Sequence, residues 1–116
     1  MNKSRRKTLG EIISLLDELK NLPSNEQTLE KLRDARNDLE IAMDEELDCY
    51  DNMPDNLKWS ARADVYADNA DNLTDALVSM EMVVEAYERG EEDPYKEVSE
   101  EVTSVIDNCT KAIERI

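Results

Sequence analysis

Carboxylates are the only side chains that this chain offers in quantity for acid–base or metal chemistry. Its 116 residues include 29 Asp and Glu, 14 Lys and Arg, and no histidine. Without histidine, neither a Ser-His or Cys-His nucleophile nor a histidine-based zinc site can form. The only two glycines, Gly10 and Gly90, stand alone, so there is no Gly-rich phosphate loop. We therefore expect a protein that is not an enzyme and that has no catalytic residues, metal or cofactor.

One enzymatic alternative stays open for a helical chain rich in carboxylates. All-helical Mg²⁺-dependent nucleotide pyrophosphohydrolases use a Glu-Glu-x-x-Glu motif, and both Glu45-Glu46 and Glu100-Glu101 resemble its beginning. Cys49 and Ser104, however, stand where the third glutamate is needed. Because adjacent acids on a helix are usually a solvated face, this activity is only a remote alternative.

The most suggestive acidic pattern lies in the middle of the chain, where four aspartates recur at intervals of four, three and four residues. This spacing places them on one face of a helix, with successive carboxylates about 4.5–6 Å apart along its axis. A DNA strand carries one phosphate per ~3.4 Å, so such a row could offer a DNA-binding protein a sparser imitation of its ligand. The alternative is that the acids only keep an outer face solvated. The candidate partner-binding residues are this row, three glutamates that extend it and one aromatic residue: Asp64, Asp68, Asp71, Asp75, Glu81, Glu85, Glu88 and Trp59.

The net charge of −15 is confined to the middle of the chain. Residues 44–101 hold nineteen acids and four bases, whereas residues 1–43 and 102–116 are each balanced. Direct binding of the middle part to nucleic acid or anionic lipid is therefore disfavoured, and a protein partner with a basic surface is expected. The basic cluster between Lys3 and Lys7 could contact phosphate, or it could pair with the acidic part of the same protein or of a neighbour.

Apolar residues at intervals of three and four predict an all-α fold with four helices, at roughly 4–22, 25–52, 57–89 and 94–116. The second and fourth helices are expected to begin at the N-caps Ser24 and Asp93, and Gly90 is expected to end the third. Short connections make successive helices antiparallel. A single domain spanning 1–116 can then be a four-helix bundle, or a coiled-coil hairpin that dimerises, since the same seam serves either contact.

The third helix has the most regular seam, which runs from Trp59 to Tyr87 without interruption. Trp59 is in register with Tyr66 and Leu73, which favours burial at the end of the core, although an exposed tryptophan would be a natural binding anchor. Cys49 and Cys109 fall on helix stripes and are expected to be small core residues. On the second helix the stripe is broken only at Glu46.

Two cysteines do not make a disulfide framework in a chain of this length. The stretch behind the basic N-terminus is interrupted by Gly10, Glu11 and Asp17, so no signal-peptide core is present. No segment approaches the ~20 apolar residues that span a bilayer. The expected location is the cytoplasm, in the cytosol of a host cell, with both thiols reduced and no membrane contact.

Residues 50–57 (YDNMPDNL) and 67–77 (ADNADNLTDAL) carry a resemblance. They are similar to a loose family of short uncharacterised helical proteins from Gram-positive bacteria, their phages and their plasmids. These proteins share a Lys/Arg-rich start and an Asn-Met-Pro-Asp/Glu-Asn-Leu turn between two long helices. Lys58-Trp59 and the fourth helix depart from the family pattern. The resemblance implies a mobile-element origin, and with it a role in host takeover or anti-defence.

These observations lead to one leading hypothesis and two alternatives. The leading hypothesis is a small acidic protein-binding module that acts on a host or defence protein, with inhibition by DNA mimicry as one form. The first alternative is a self-associating structural or assembly protein that forms a homodimer. The second is the carboxylate-dependent hydrolase described above.

Overall fold

Four helices account for most of the computed structural model, which describes residues 1–90 and 92–114. The helices are α1 (Lys3–Glu18), α2 (Glu26–Asp51), α3 (Ala61–Glu88) and α4 (Pro94–Glu114). Short 3₁₀ turns follow α1 at Leu19–Asn21 and precede α3 at Asp55–Leu57. The predicted all-α fold is therefore confirmed. Residues 115 and 116, the predicted end of the fourth helix, lie outside the described residues.

Polar caps decide where the helices begin. The side chain of Asn25, rather than the predicted Ser24, accepts a hydrogen bond from the Thr28 backbone N–H at the start of α2. The predicted cap Asp93 is confirmed, since its Oδ1 accepts from the Lys96 N–H. The third helix begins at Ala61 and not at the predicted residue 57, because Ser60 Oγ caps it by accepting from the Ala63 N–H.

Gly90 ends α3 as predicted. Its φ of +68° lies in the left-handed region, which residues with a Cβ adopt only at a cost. Its N–H also bonds to the Tyr87 carbonyl at 3.4 Å, so that one of the last carbonyls of the helix has a partner.

The helices form an antiparallel four-helix bundle. α1 packs against α2 and α4, and α3 packs against the same two helices, most extensively of all. Because α2 and α3 are the longest helices, the molecule is elongated, with dimensions of 53 × 21 × 20 Å. None of the described helices is both long enough and apolar enough to cross a membrane.

The bundle core consists of the predicted stripes of small and aliphatic side chains. Leu9 and Leu16 of α1, Leu32 and Leu39 of α2, and Leu73 of α3 are almost completely buried. The α4 stripe is buried from Val98 to Ala112. A fully buried leucine contributes roughly 1.5–3 kcal/mol through removal of its apolar surface from water. The apolar stripes of all four helices are buried within one chain, as a four-helix bundle requires.

Candidate functional site

The predicted aspartate row lies on the solvent side of the N-terminal half of α3. Asp64, Asp71 and Asp75 are exposed, and Asp68 is half-buried. The three exposed aspartates form no salt bridge or side-chain hydrogen bond with any described residue. We call Asp64, Asp71 and Asp75 the aspartate stripe. It is a line of uncompensated negative charge on a rigid helix.

The three glutamates predicted to extend this row are placed differently. Glu81 accepts a hydrogen bond from Arg36 Nη2 at 2.8 Å, and Glu88 from Arg33 Nε at 3.3 Å, both across the α2–α3 contact. Glu85 lies 3.8 Å from Arg89 on its own helix. The hydrogen bond to Glu81 is the largest cause of a raised pKa for Arg36. Exposed pairs of this kind contribute little to stability, but they neutralise the glutamates, which are therefore distinct from the aspartate stripe.

Trp59 lies in the turn before α3 and not in the core. Its side chain is 91% exposed, so the interpretation that it closes the end of the core is wrong. The prediction failed because the seam was extended back through residues 57–60, whereas the helix begins only after Ser60. An exposed tryptophan forgoes the free energy that burial of its apolar surface would contribute to folding. Its position agrees with the other interpretation, a binding anchor.

A buried polar layer, which the sequence pattern did not predict, closes the bundle core at the end nearest this turn. Glu46 of α2 is 0% exposed, and its Oε1 accepts a hydrogen bond of 2.8 Å from Arg5 Nε of α1. Its other oxygen, Oε2, accepts from Asn69 Nδ2 of α3 at 3.3 Å. Arg5 also donates from Nη1 to Glu45 at 3.0 Å, and its Nη2 lies 3.6 Å from Cys49 Sγ. Three helices therefore meet at one charged contact.

The energetics of this layer explain why its members depend on one another. Burial by itself lowers the pKa of Arg5, but the hydrogen bonds to Glu46 and Glu45 outweigh it and raise that pKa above its usual value. Asn69 is also fully buried, and its Oδ1 has no hydrogen-bond partner among residues 1–90 and 92–114. Since an ionised group without a partner is very costly in an apolar interior, Arg5 and Glu46 hold α1 and α2 in one register.

A signal for this layer was present in the sequence. Glu46 is the one interruption of the α2 stripe, and a charge on a buried stripe requires a partner of opposite charge. The basic N-terminal cluster contained that partner, and one of the two predicted roles of the cluster, pairing with acids of the same protein, is confirmed for Arg5. Nothing in the spacing distinguished Arg5 from its basic neighbours, because that choice depends on which side of α1 faces α2.

The two cysteines are free thiols. Cys109 is completely buried in the core as predicted, and burial raises the pKa of its thiol to about 12. Cys49, predicted to be a core residue, is only half-buried beside the Arg5 guanidinium. Among the described residues no group of three or more Cys, Asp or Glu side chains has a geometry that could hold a metal ion.

Comparison with known proteins does not extend these findings. A scan against protein-family models, a search of curated proteins and a search of solved structures each find no match to this chain. The resemblance carried by the turn motif at residues 50–57 therefore stays a prediction.

Proposed function

We propose that this chain is a small acidic protein-binding module whose aspartate stripe docks on a basic surface of another protein. The observation that carries the proposal is the contrast along α3. Asp64, Asp71 and Asp75 face solvent without a partner in the described chain, whereas Glu81 and Glu88 are neutralised by arginines of α2. An exposed row of like charges on a rigid helix favours association with a surface of opposite charge.

The straight line of the stripe, although sparser than a row of phosphates, favours a partner that ordinarily binds nucleic acid. From Asp64 to Asp75 the helix rises by roughly 16 Å, and the carboxylates follow one line as phosphates do along a strand. In this proposal the module competes with DNA for a basic surface. The resemblance to proteins of phages and plasmids motivates a host or defence protein as the target.

The test compares two triple variants that remove the same number of negative charges from α3. The first, D64N/D71N/D75N, neutralises the stripe with side chains of nearly unchanged shape. The matched control, E81Q/E85Q/E88Q, neutralises glutamates that already have arginine partners. Each protein is immobilised and exposed to lysate of a Gram-positive bacterium, and bound proteins are eluted with a salt gradient.

A partner of the stripe should bind the wild type and the control but should be retained about tenfold less by the stripe variant. This estimate assigns roughly 0.5 kcal/mol to each exposed charge. The purified partner should also release a labelled DNA duplex when the wild-type module is added. Equal capture by the stripe variant contradicts the proposal. Capture without competition for DNA retains the docking module and contradicts DNA mimicry.

Self-association is a second candidate, favoured by two apolar side chains on the outer surface of α3. Val78 is 58% exposed and Met82 is 47% exposed, one helical turn apart. A second copy could cover them. Light scattering over a wide concentration range tests this, since a monomer at the highest concentration contradicts it. The double variant V78S/M82S should abolish any dimer that does form.

A further inference from the structure

The end of the α2–α3 hairpin projects beyond the polar layer. Arg5, near the start of α1, meets α2 at Glu46, so only the four residues before Arg5 accompany the last turn of α2. The Ser79–Ser104 hydrogen bond sets the antiparallel register of α3 and α4 and places Glu114, the last described residue of α4, about level with Asn69. Residues 47–67, which we call the hairpin tip, therefore extend roughly 10 Å beyond the polar layer.

The hairpin tip exposes apolar surface that the main core does not use. Trp59 is 91% exposed, Leu57 45% and Leu47 42%. The half-buried Tyr50 and Met53 are not among the hydrophobic residues that pack against the core cluster. A protein that leaves a tryptophan and two leucines in water at one end has a patch of the type that marks an interaction site.

An open cleft beside Trp59 gives this patch a shape. It has a volume of about 330 Å³ and is lined by Tyr50, Asp55, Lys58 and Trp59. Lys58 is one of the two bases of the hairpin tip, and its Nζ lies 5.3 Å from the centre of the Tyr50 ring, within the range of a cation–π contact. One cation is therefore already held against an aromatic ring at the edge of the cleft.

The charge around the patch selects the kind of partner. Asp48, Asp51, Asp55 and Asp64 are all exposed around it, and acids outnumber bases in the hairpin tip by four to two. Two copies meeting at this surface would bring the same aspartates together, which is repulsive. Within residues 47–67 the excess of acids likewise disfavours an anionic membrane or a nucleic acid, and the exposed bases Lys3, Arg6 and Lys7 belong to α1, outside the tip. A cationic protein segment has the complementary charge.

We propose that the hairpin tip binds a cationic amphipathic segment of a protein partner, with an apolar side chain against Trp59 and Lys or Arg side chains against Asp51 and Asp55. This inference deepens the proposed function, since it names a second contact and the chemistry of its partner. It depends on the proposed function only in one respect, namely that the partner is a protein with a basic surface. The tip and the aspartate stripe share only Asp64, so D51N/D55N and D71N/D75N, which leave Asp64 unchanged, test the two surfaces separately.

Trp59 provides the measurement, because it is the only tryptophan of the chain and reports on the tip alone. The probe is a synthetic peptide with Lys and Leu at helical spacing, and the matched peptide has Glu in place of each Lys. With the full-length protein, the Lys peptide should shift the Trp59 emission to shorter wavelength in a saturable way. The Glu peptide should leave the emission unchanged.

Two variants locate the electrostatic contact. D51N/D55N removes two exposed charges beside the cleft and should weaken the Lys peptide about fivefold. D71N/D75N removes the same charge from the middle of α3 and should leave the affinity within about twofold. Both variants change exposed side chains only, and helical circular dichroism equal to that of the wild type verifies their folding.

Four outcomes overturn the inference. They are no emission shift with the Lys peptide, equal weakening by both variants, a shift with phosphatidylcholine vesicles but not with peptide, and a shift that depends on protein concentration alone. The last two would identify a membrane or a second copy as the occupant. If the tip fails these tests while D64N/D71N/D75N still loses its captured partner, the proposed function stands without this contact. The reverse result retains the tip and contradicts the role of the stripe.

Discussion

The contact between Arg5 and Glu46 leads to a quantitative prediction about stability. Replacing either residue with an apolar side chain of similar size, as in Arg5→Met or Glu46→Leu, leaves the other charge with too few partners. Glu46 is 0% exposed, and the Arg5 side chain is 10% exposed. Removing one member of a buried ion pair costs about 3–5 kcal/mol. The free energy of unfolding of a chain of this length is on the order of 6–17 kcal/mol, so each single variant should lose a large part of it.

The contacts that remain in each variant determine how much stability it loses. In R5M, Glu46 keeps only its hydrogen bond from Asn69, at 3.3 Å. In E46L, Arg5 keeps the hydrogen bond to Glu45, whose side chain is 48% exposed. Asn69, however, loses the one side-chain hydrogen bond that it makes with the described residues, which adds about 1–3 kcal/mol. The double variant R5M/E46L leaves no buried charge, so it should be only about 1–3 kcal/mol less stable than the wild type. The two substitutions should therefore be strongly non-additive.

Urea unfolding followed by circular dichroism measures these free energies. Trp59 emission is a poor probe here, since this side chain is already 91% exposed in the folded state. The exposed pair Arg36–Glu81 provides the control cycle. Its coupling should be much weaker than that of Arg5 and Glu46 and should fall with added salt. If R5M and E46L were additive, the two side chains would not interact in solution, and the account of the polar layer would be refuted.

Two further predictions concern the backbone and the core. Gly10→Ala should stabilise the protein by about 1 kcal/mol, because the site is inside α1 and, apart from its chain neighbours and the backbone of its own helix, no atom lies within 4 Å of the added Cβ. Gly90→Ala should destabilise the protein by a similar amount, because φ is +68° there. Thermal unfolding should show opposite shifts of about 4 °C, and equal signs would contradict the assignment of Gly90 as the helix stop. Burial raises the pKa of Cys109 from 9.0 and of Tyr87 from 10.0, in both cases to about 12. Since folding favours the neutral forms, stability is complete below pH 9 and is lost as the pH rises toward 12, by about 1.4 kcal/mol per pH unit for the completely buried Cys109. Cys109→Val should remove the loss between pH 9 and 10, and an unchanged profile in alkaline urea titrations would count against the buried thiol.

The all-α fold and most of the core could be predicted from the sequence because helical spacing is a local property. Leu73, Met80 and Val84 of α3 are buried where the repeat placed them. The break at Pro94 and the stop at Gly90 also follow from single residues with restricted or unusual backbone preferences. The same periodicity wrongly placed Trp59 in the core. The helix begins only after Ser60, whose side chain caps it, so residues 57–59 are not part of its first turn.

Which charges are free and which are neutralised was decided by the tertiary structure. The sequence placed Asp71 and Glu81 on one negative surface, but only the packing of α2 on α3 brings Arg36 to Glu81 and leaves Asp71 in solvent. In the same way, the sequence showed Glu46 as a break in a stripe, and only the arrangement of three helices supplies Arg5 and Asn69 to it. Spacing along a helix determines which face a side chain occupies. Its electrostatic partners come from other helices, far away in the chain, and depend on the register in which those helices pack.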